Sequence, residues 1–110
     1  MHDVESVDVT DVRPGAAVLD VREQDEWDAG HIEGAVHIPL GELPLRVEEL
    51  DPDTDYNVIC LRGGRSAQAV QWLTNQGYSV VNVRGGMDQW AENGLPITSE
   101  SGEAFVKGHA

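Results

Sequence analysis

Tyr56-Asn57-Val58-Ile59-Cys60-Leu61-Arg62-Gly63-Gly64-Arg65-Ser66 is the stretch that decides the fold. Its apolar, β-branched start reads as a buried strand. That strand delivers a cysteine straight into a loop with two glycines, which allow backbone conformations other residues avoid. A helix is expected from Ser66 to Gln76, with Ala69, Val70 and Leu73 as its apolar stripe and Trp72 flanking it. Gly77 stands where a helix C-cap belongs.

Upstream, Val18-Leu19-Asp20-Val21 reads as a buried strand and Glu23 to Asp28 as a turn or two of helix. Ala35-Val36-His37-Ile38 reads as a second short strand, stopped by Pro39. Leu43, Val47 and Leu50 are spaced as one helical face, with Pro44 tolerable in its first turn. Asp51-Pro52-Asp53-Thr54-Asp55 is a turn cluster. Downstream, Val80-Val81-Asn82-Val83 is another buried strand, broken by Gly85-Gly86. Met87 to Glu92 forms a short helix closed by Asn93-Gly94, and Leu95-Pro96-Ile97 leaves extended. Residues 1–12 supply an edge strand through Val7 and Val9. The alternation predicts an α/β fold with a mostly parallel central sheet, covered by helices on both faces. Residues 1–98 are expected to form one domain, which fits a length of 110 residues. Residues 99–110 are polar, Gly-containing and expected to fray, with room for one helical turn around Phe105.

Composition narrows the function. Hydrophobic residues make up 40% and charged residues 25%, as in a soluble globular chain. Seven Lys and Arg against twenty Asp and Glu give a net charge of −13. That excludes a general nucleic-acid binder and argues against an anionic membrane partner. No apolar run approaches a membrane span. The acidic start Met1-His2-Asp3-Val4-Glu5 is unlike a secretory signal. A single cysteine makes no internal disulfide and fits a reducing cytoplasm. The four His and one Cys lack metal-ligand spacing, so no metal or other cofactor is expected. One core accounts for the hydrophobic residues, so a monomer is the expected state.

Ligands of open parallel sheets bind beyond the carboxyl ends of strands. Three loops leave such ends, carrying Asp20, Arg22 and Glu23; Cys60 to Ser66; and Arg84-Gly85-Gly86. In the middle loop, successive N–H groups can curl into an anion-binding nest. The following helix aims its positive end at the same point, and Arg62 and Arg65 add full charges. Each term favours a Cys60 thiolate, the nucleophilic form. The plainer reading, a small buried core cysteine, does not account for a flexible cationic loop before a helix.

Four stretches together resemble a single-domain rhodanese, a sulfurtransferase homology domain, most clearly over residues 18–97. They are Asp20-Val21-Arg22 followed by Glu26-Trp27; Gly30-His31-Ile32-Glu33-Gly34-Ala35 ending at Ile38-Pro39; Cys60-x-x-Gly63-x-Arg65-Ser66; and Gly85-Gly86 with Trp90 and Gly94-Leu95-Pro96. The resemblance implies a rhodanese-type sheet and a double displacement. Cys60 would take the outer sulfur of a small donor anion such as thiosulfate. A thiol, cyanide or a protein acceptor would then receive it from a Cys60 persulfide held by loop N–H groups of Leu61, Arg62, Gly63, Gly64, Arg65 and Ser66. The related dual-specificity phosphatases carry one residue more between Cys and Arg than the four residues here. The tighter loop suits sulfur better than phosphate, so phosphatase activity ranks below sulfur transfer. The other alternative is a non-catalytic rhodanese-like module that binds a partner through its acidic surface.

Around the loop, Asp20 is expected to support it by pairing with Arg65 or accepting hydrogen bonds, against the plainer reading of a surface pair with Arg22. Arg65 is expected to brace the loop through Asp20 or to meet the substrate. Arg62 either attracts an anion or is simply solvated. Ser66 either donates to the sulfur or caps its helix. His31 reads as a hydrogen-bonding scaffold residue, His37 as packing or surface, and Trp27, Trp72 and Trp90 as core. Arg84 borders the pocket at most, and Gly85-Gly86 serves backbone geometry.

Overall fold

The computed structural model describes residues 4–108. Met1, His2 and Asp3 of the acidic start, and His109 and Ala110 of the expected tail, lie outside the described residues. Among the described residues the five strands are β1 (Ser6–Asp8), β2 (Val18–Asp20), β3 (Val36–His37), β4 (Asp55–Ile59) and β5 (Ser79–Arg84). They form one sheet in the order β1-β5-β4-β2-β3, and every pairing is parallel. The helices are α1 (Gln24–Ala29), α2 (Leu43–Arg46), α3 (Gly64–Asn75) and α4 (Gly86–Glu92).

Alternate side chains of each strand feed two cores. Leu19, Val58, Cys60 and Val80 pack with Leu43 of α2 and Ala69, Val70 and Leu73 of α3. Val18, Ile59 and Val83 pack with Val9 and with Met87 and Trp90 of α4. Covering both faces is what allows the strands to be apolar throughout. Among the described residues no helix is long and apolar enough to cross a membrane.

Several elements differ from expectation for local reasons. The edge strand ends at Asp8, and Val9 turns inward at 4% exposure to open a 3-10 turn, Val9–Asp11. The Leu43–Leu50 segment is not one helix. α2 is a single turn, flanked by 3-10 turns at Leu40–Glu42 and Val47–Glu49. Pro44 cannot lie deeper than a first turn, and the i+3 pattern still buries Leu43 and Leu50. α3 starts at Gly64, two residues early, because Gly63 takes a φ of 106° and forms its N-cap. Of the tryptophans only Trp90 is buried, while Trp27 and Trp72 are half-buried. Trp27 lies stacked on His31 at 3.7 Å and on His37 at 4.7 Å between ring centroids.

The segment expected to fray instead folds back over α1 as irregular chain, without a helical turn at Phe105. Thr98 bridges antiparallel to His31, and the Phe105 N–H donates to the Ala29 carbonyl at 3.0 Å. Lys107 pairs with Asp25 at 3.1 Å. Gly30 must lack a side chain here, since a Cβ would stand 2.4 Å from the Phe105 carbonyl oxygen.

Candidate active site

Cys60 follows the last residue of β4 and is 1% exposed. Its sulfur lies where α3 begins, facing the positive end of a twelve-residue helix. The Gly63 N–H donates to Sγ at 3.1 Å, and Ser66 Oγ lies 3.3 Å from it. Among the described residues no other backbone N–H is bonded to Sγ. The expected cradle from Leu61 to Ser66 is therefore represented here by Gly63 alone. Ser66 is fully buried inside the first turn of α3, so it contacts the sulfur and does not cap the helix.

The loop is held from outside by α4. Met87 N–H donates to the Cys60 carbonyl at 2.8 Å and Asp88 N–H to the Leu61 carbonyl at 3.0 Å. These bonds use the free N–H groups of a helix start and tie the loop to α4. Gly86 makes the approach possible: its φ is 55°, and a Cβ would lie 2.4 Å from the Cys60 oxygen and 2.5 Å from the Leu61 oxygen. Gly86→Ala is therefore expected to cost at least about 1–3 kcal/mol of stability from backbone strain. It should also slow alkylation of Cys60, measured beside the thermal midpoint of the folded protein.

Arg65 is braced, but not by Asp20. Its guanidinium grips both oxygens of Glu26 on α1, at 2.7 and 2.9 Å. Glu26 is fully buried, and its Oε1 also accepts the Glu23 N–H at 3.0 Å. This carboxylate raises the pKa of Arg65 above its ordinary value, and the Cys60 sulfur contributes less. Asp20 instead holds Arg22, in a pair that is local, as the plainer reading had it, yet wholly buried. Arg22 Nε meets both Asp20 oxygens at 3.0 Å and Nη2 meets Oδ2 at 2.7 Å. Nη1 also donates to the carbonyl of Glu26, at 3.4 Å, and Nη2 to that of Gly30, at 2.7 Å. Asp20 and Arg22 thus hold the last turn of α1, and α1 carries the carboxylate that positions Arg65.

Arg62 points outward, 76% exposed, and pairs with Asp88 at 2.8 Å. Arg84 is 61% exposed and pairs with Asp8, joining β5 to the edge strand. His31 Nδ1 lies 2.8 Å from the Trp27 carbonyl and His37 Nε2 lies 2.7 Å from the Arg22 carbonyl. Both rings are scaffold around α1.

Two positioning residues escaped the sequence reading. Glu26 was quoted only as part of a motif; its place three residues after Glu23, at a helix start, was the available signal. Asn82 is the other. A polar side chain inside Val80-Val81-Asn82-Val83 needs a buried partner, and that partner is Ser66 Oγ.

A cysteine at the carboxyl edge of a parallel sheet, under a helix start, marks the candidate site of an α/β protein. The chain belongs to the rhodanese-like domain family, whose model matches residues 4–93. It is 45% identical over 73 residues to YtwF of Bacillus subtilis (strain 168), covering 66% of this chain and 71% of that protein. It is 40% identical over 86 residues to a protein of Allochromatium vinosum named sulfurtransferase, covering 77% of this chain and 80% of that one. The crystal structure of a rhodanese-related protein from Thermoplasma volcanium superposes with a TM-score of 0.81 at 40% identity, over 84% of this chain and 96% of that one.

Proposed function

We propose that this protein is a sulfurtransferase that moves a sulfane sulfur from a donor such as thiosulfate to a thiophilic acceptor through a Cys60 persulfide. The observation that carries the reading is the Cys60 sulfur bonded by the Gly63 N–H at the start of α3. The sulfurtransferase name of a relative supports it. In the first half-reaction the thiolate attacks the outer sulfur of thiosulfate. A sulfur–sulfur bond forms to Cys60, the donor's sulfur–sulfur bond breaks, and sulfite leaves with its electron pair. In the second, cyanide or a thiol attacks the terminal sulfur and the Cys60 thiolate departs. The Gly63 N–H and the α3 start stabilise the anionic sulfur in both.

Intact-protein mass spectrometry after thiosulfate tests the cycle. A gain of one sulfur atom, removed by cyanide, is expected. No gain in a folded protein whose thiol still alkylates would leave two readings: a different donor, such as mercaptopyruvate or a partner's persulfide, or the partner-binding module, with its acidic surface as the place to look.

The two loop arginines separate by role. Arg65→Ala strands the buried Glu26 carboxylate and is expected to slow sulfur transfer about tenfold or more. Arg62→Ala removes an exposed pair and should change the rate by no more than about fivefold. Steady-state thiocyanate production measures both. Equal losses would deny Arg65 its bracing role.

A further inference from the structure

We propose that Asn82 is a positioning residue that decides which way the Ser66 hydroxyl points, and thereby competes with the Cys60 sulfur for that hydroxyl's proton. The inference rests on the reading of Cys60 as the nucleophile. Three buried groups stand in a row: Cys60 Sγ, Ser66 Oγ 3.3 Å away, and Asn82 Oδ1, which accepts from Ser66 Oγ. Cys60 is 1% exposed, Ser66 0% and Asn82 6%, so water does not replace a missing partner.

A hydroxyl has one proton. With that proton on Asn82 Oδ1, Ser66 presents a lone pair to the sulfur. The thiol then fits the site as donor, giving the chain Cys60 S–H to Ser66 to Asn82. An anionic sulfur has no proton to give and faces that lone pair unfavourably. When Cys60 ionises, its proton leaves to solvent, and the hydroxyl proton must turn from Asn82 to the sulfur. Asn82 therefore competes with Cys60 for one hydrogen bond. The α3 start and Arg65 pull towards the thiolate, and Asn82 opposes them.

The test is the pH profile of Cys60 alkylation by iodoacetamide, in Asn82→Val and Asn82→Asp, each with and without Ser66→Ala. Asn82→Val removes the competing acceptor, so its profile is expected to move to lower pH, with alkylation at pH 7 about threefold faster or more. In the Ser66→Ala background the same substitution should change nothing. Asn82→Asp, nearly the same size, strengthens the acceptor and should slow alkylation, more with the Ser66 hydroxyl present than without it. The charged groups on the surrounding elements are Glu23 and Glu26 on α1's side, Arg62 and Arg65 of the loop, Asp88 of α4 and the Asp20–Arg22 pair. All stay unchanged across the valine comparison.

A merely structural Asn82 predicts slower chemistry in both variants through a loosened β5. Slower or unchanged alkylation in folded Asn82→Val overturns the proposal, as does acceleration that survives loss of the Ser66 hydroxyl. Should the valine variant not fold, equal slowing by Asn82→Asp with and without Ser66 overturns it instead. Alkylation needs no sulfur donor, so failure here is distinct from failure of the persulfide cycle, which the mass gain after thiosulfate reads.

Discussion

Cys60→Ser is expected to lose sulfur transfer completely while keeping its fold. A serine hydroxyl is not ionised near neutral pH and is a weak nucleophile without an adjacent base. Neither histidine that flanks α1 is placed to be that base. His31 lies against the Trp27 carbonyl and His37 against the Arg22 carbonyl. The substituted oxygen still fits between the Gly63 N–H and Ser66, so the melting temperature should stay within a few degrees of the parent. The measurement is thiocyanate formation from thiosulfate and cyanide, with mass spectrometry beside it. Thiocyanate above the uncatalysed background in this variant would sink the persulfide mechanism.

The second large effect is on stability. Asp20→Ala leaves the Arg22 guanidinium, fully buried, without its counter-charge. Breaking a buried pair from one side costs about 3–5 kcal/mol. A domain of this size has about 5–15 kcal/mol in all, so a large part of it would go. The midpoint should fall by roughly 15 °C or more, read by circular dichroism during heating. A double substitution, Asp20→Leu with Arg22→Met, is expected to recover only part of this. It removes both charges but takes the Arg22 donors from the Glu26 and Gly30 carbonyls, of which Glu26 keeps the Gly30 N–H. A loss below about 1 kcal/mol in the single variant would mean that the pair behaves as surface pairs do.

The sheet was legible because its strands are β-branched runs that nothing local contradicts. Val58-Ile59 and Val80-Val81 have no other home than a doubly covered parallel sheet. The Cys60 loop was legible for a related reason: glycines and arginines between a strand and a helix have few structural uses. The partner of Arg65 was not legible. Asp20 and Glu26 are both acids on the same loop-and-helix segment, and charge alone does not choose between them. Geometry does, since Arg22 folds back two residues onto Asp20 and leaves Arg65 to Glu26. The α2 segment misled through its 3-4 spacing, which a helix turn between two 3-10 turns also satisfies. The C-terminal segment misled through polarity. Its place on α1 comes from the Phe105 bond to Ala29, the Lys107–Asp25 pair and the bare surface of Gly30, which composition does not display.

The sheet order has a consequence for the chain as it is made. β1 lies beside β5, with Ser6 opposite Asn82 and Asp8 opposite Arg84. On the ribosome, β2, β3 and β4 can pair as soon as β4 emerges, because they are neighbours. β1 has no strand to join until β5 has been synthesised, and closing so long a loop is entropically costly. Val7 and its free strand edge therefore stay exposed until β5 has emerged, a window in which an unpaired strand invites other chains. The edge strand is three residues long and ends in Asp8, which keeps that invitation short and charged.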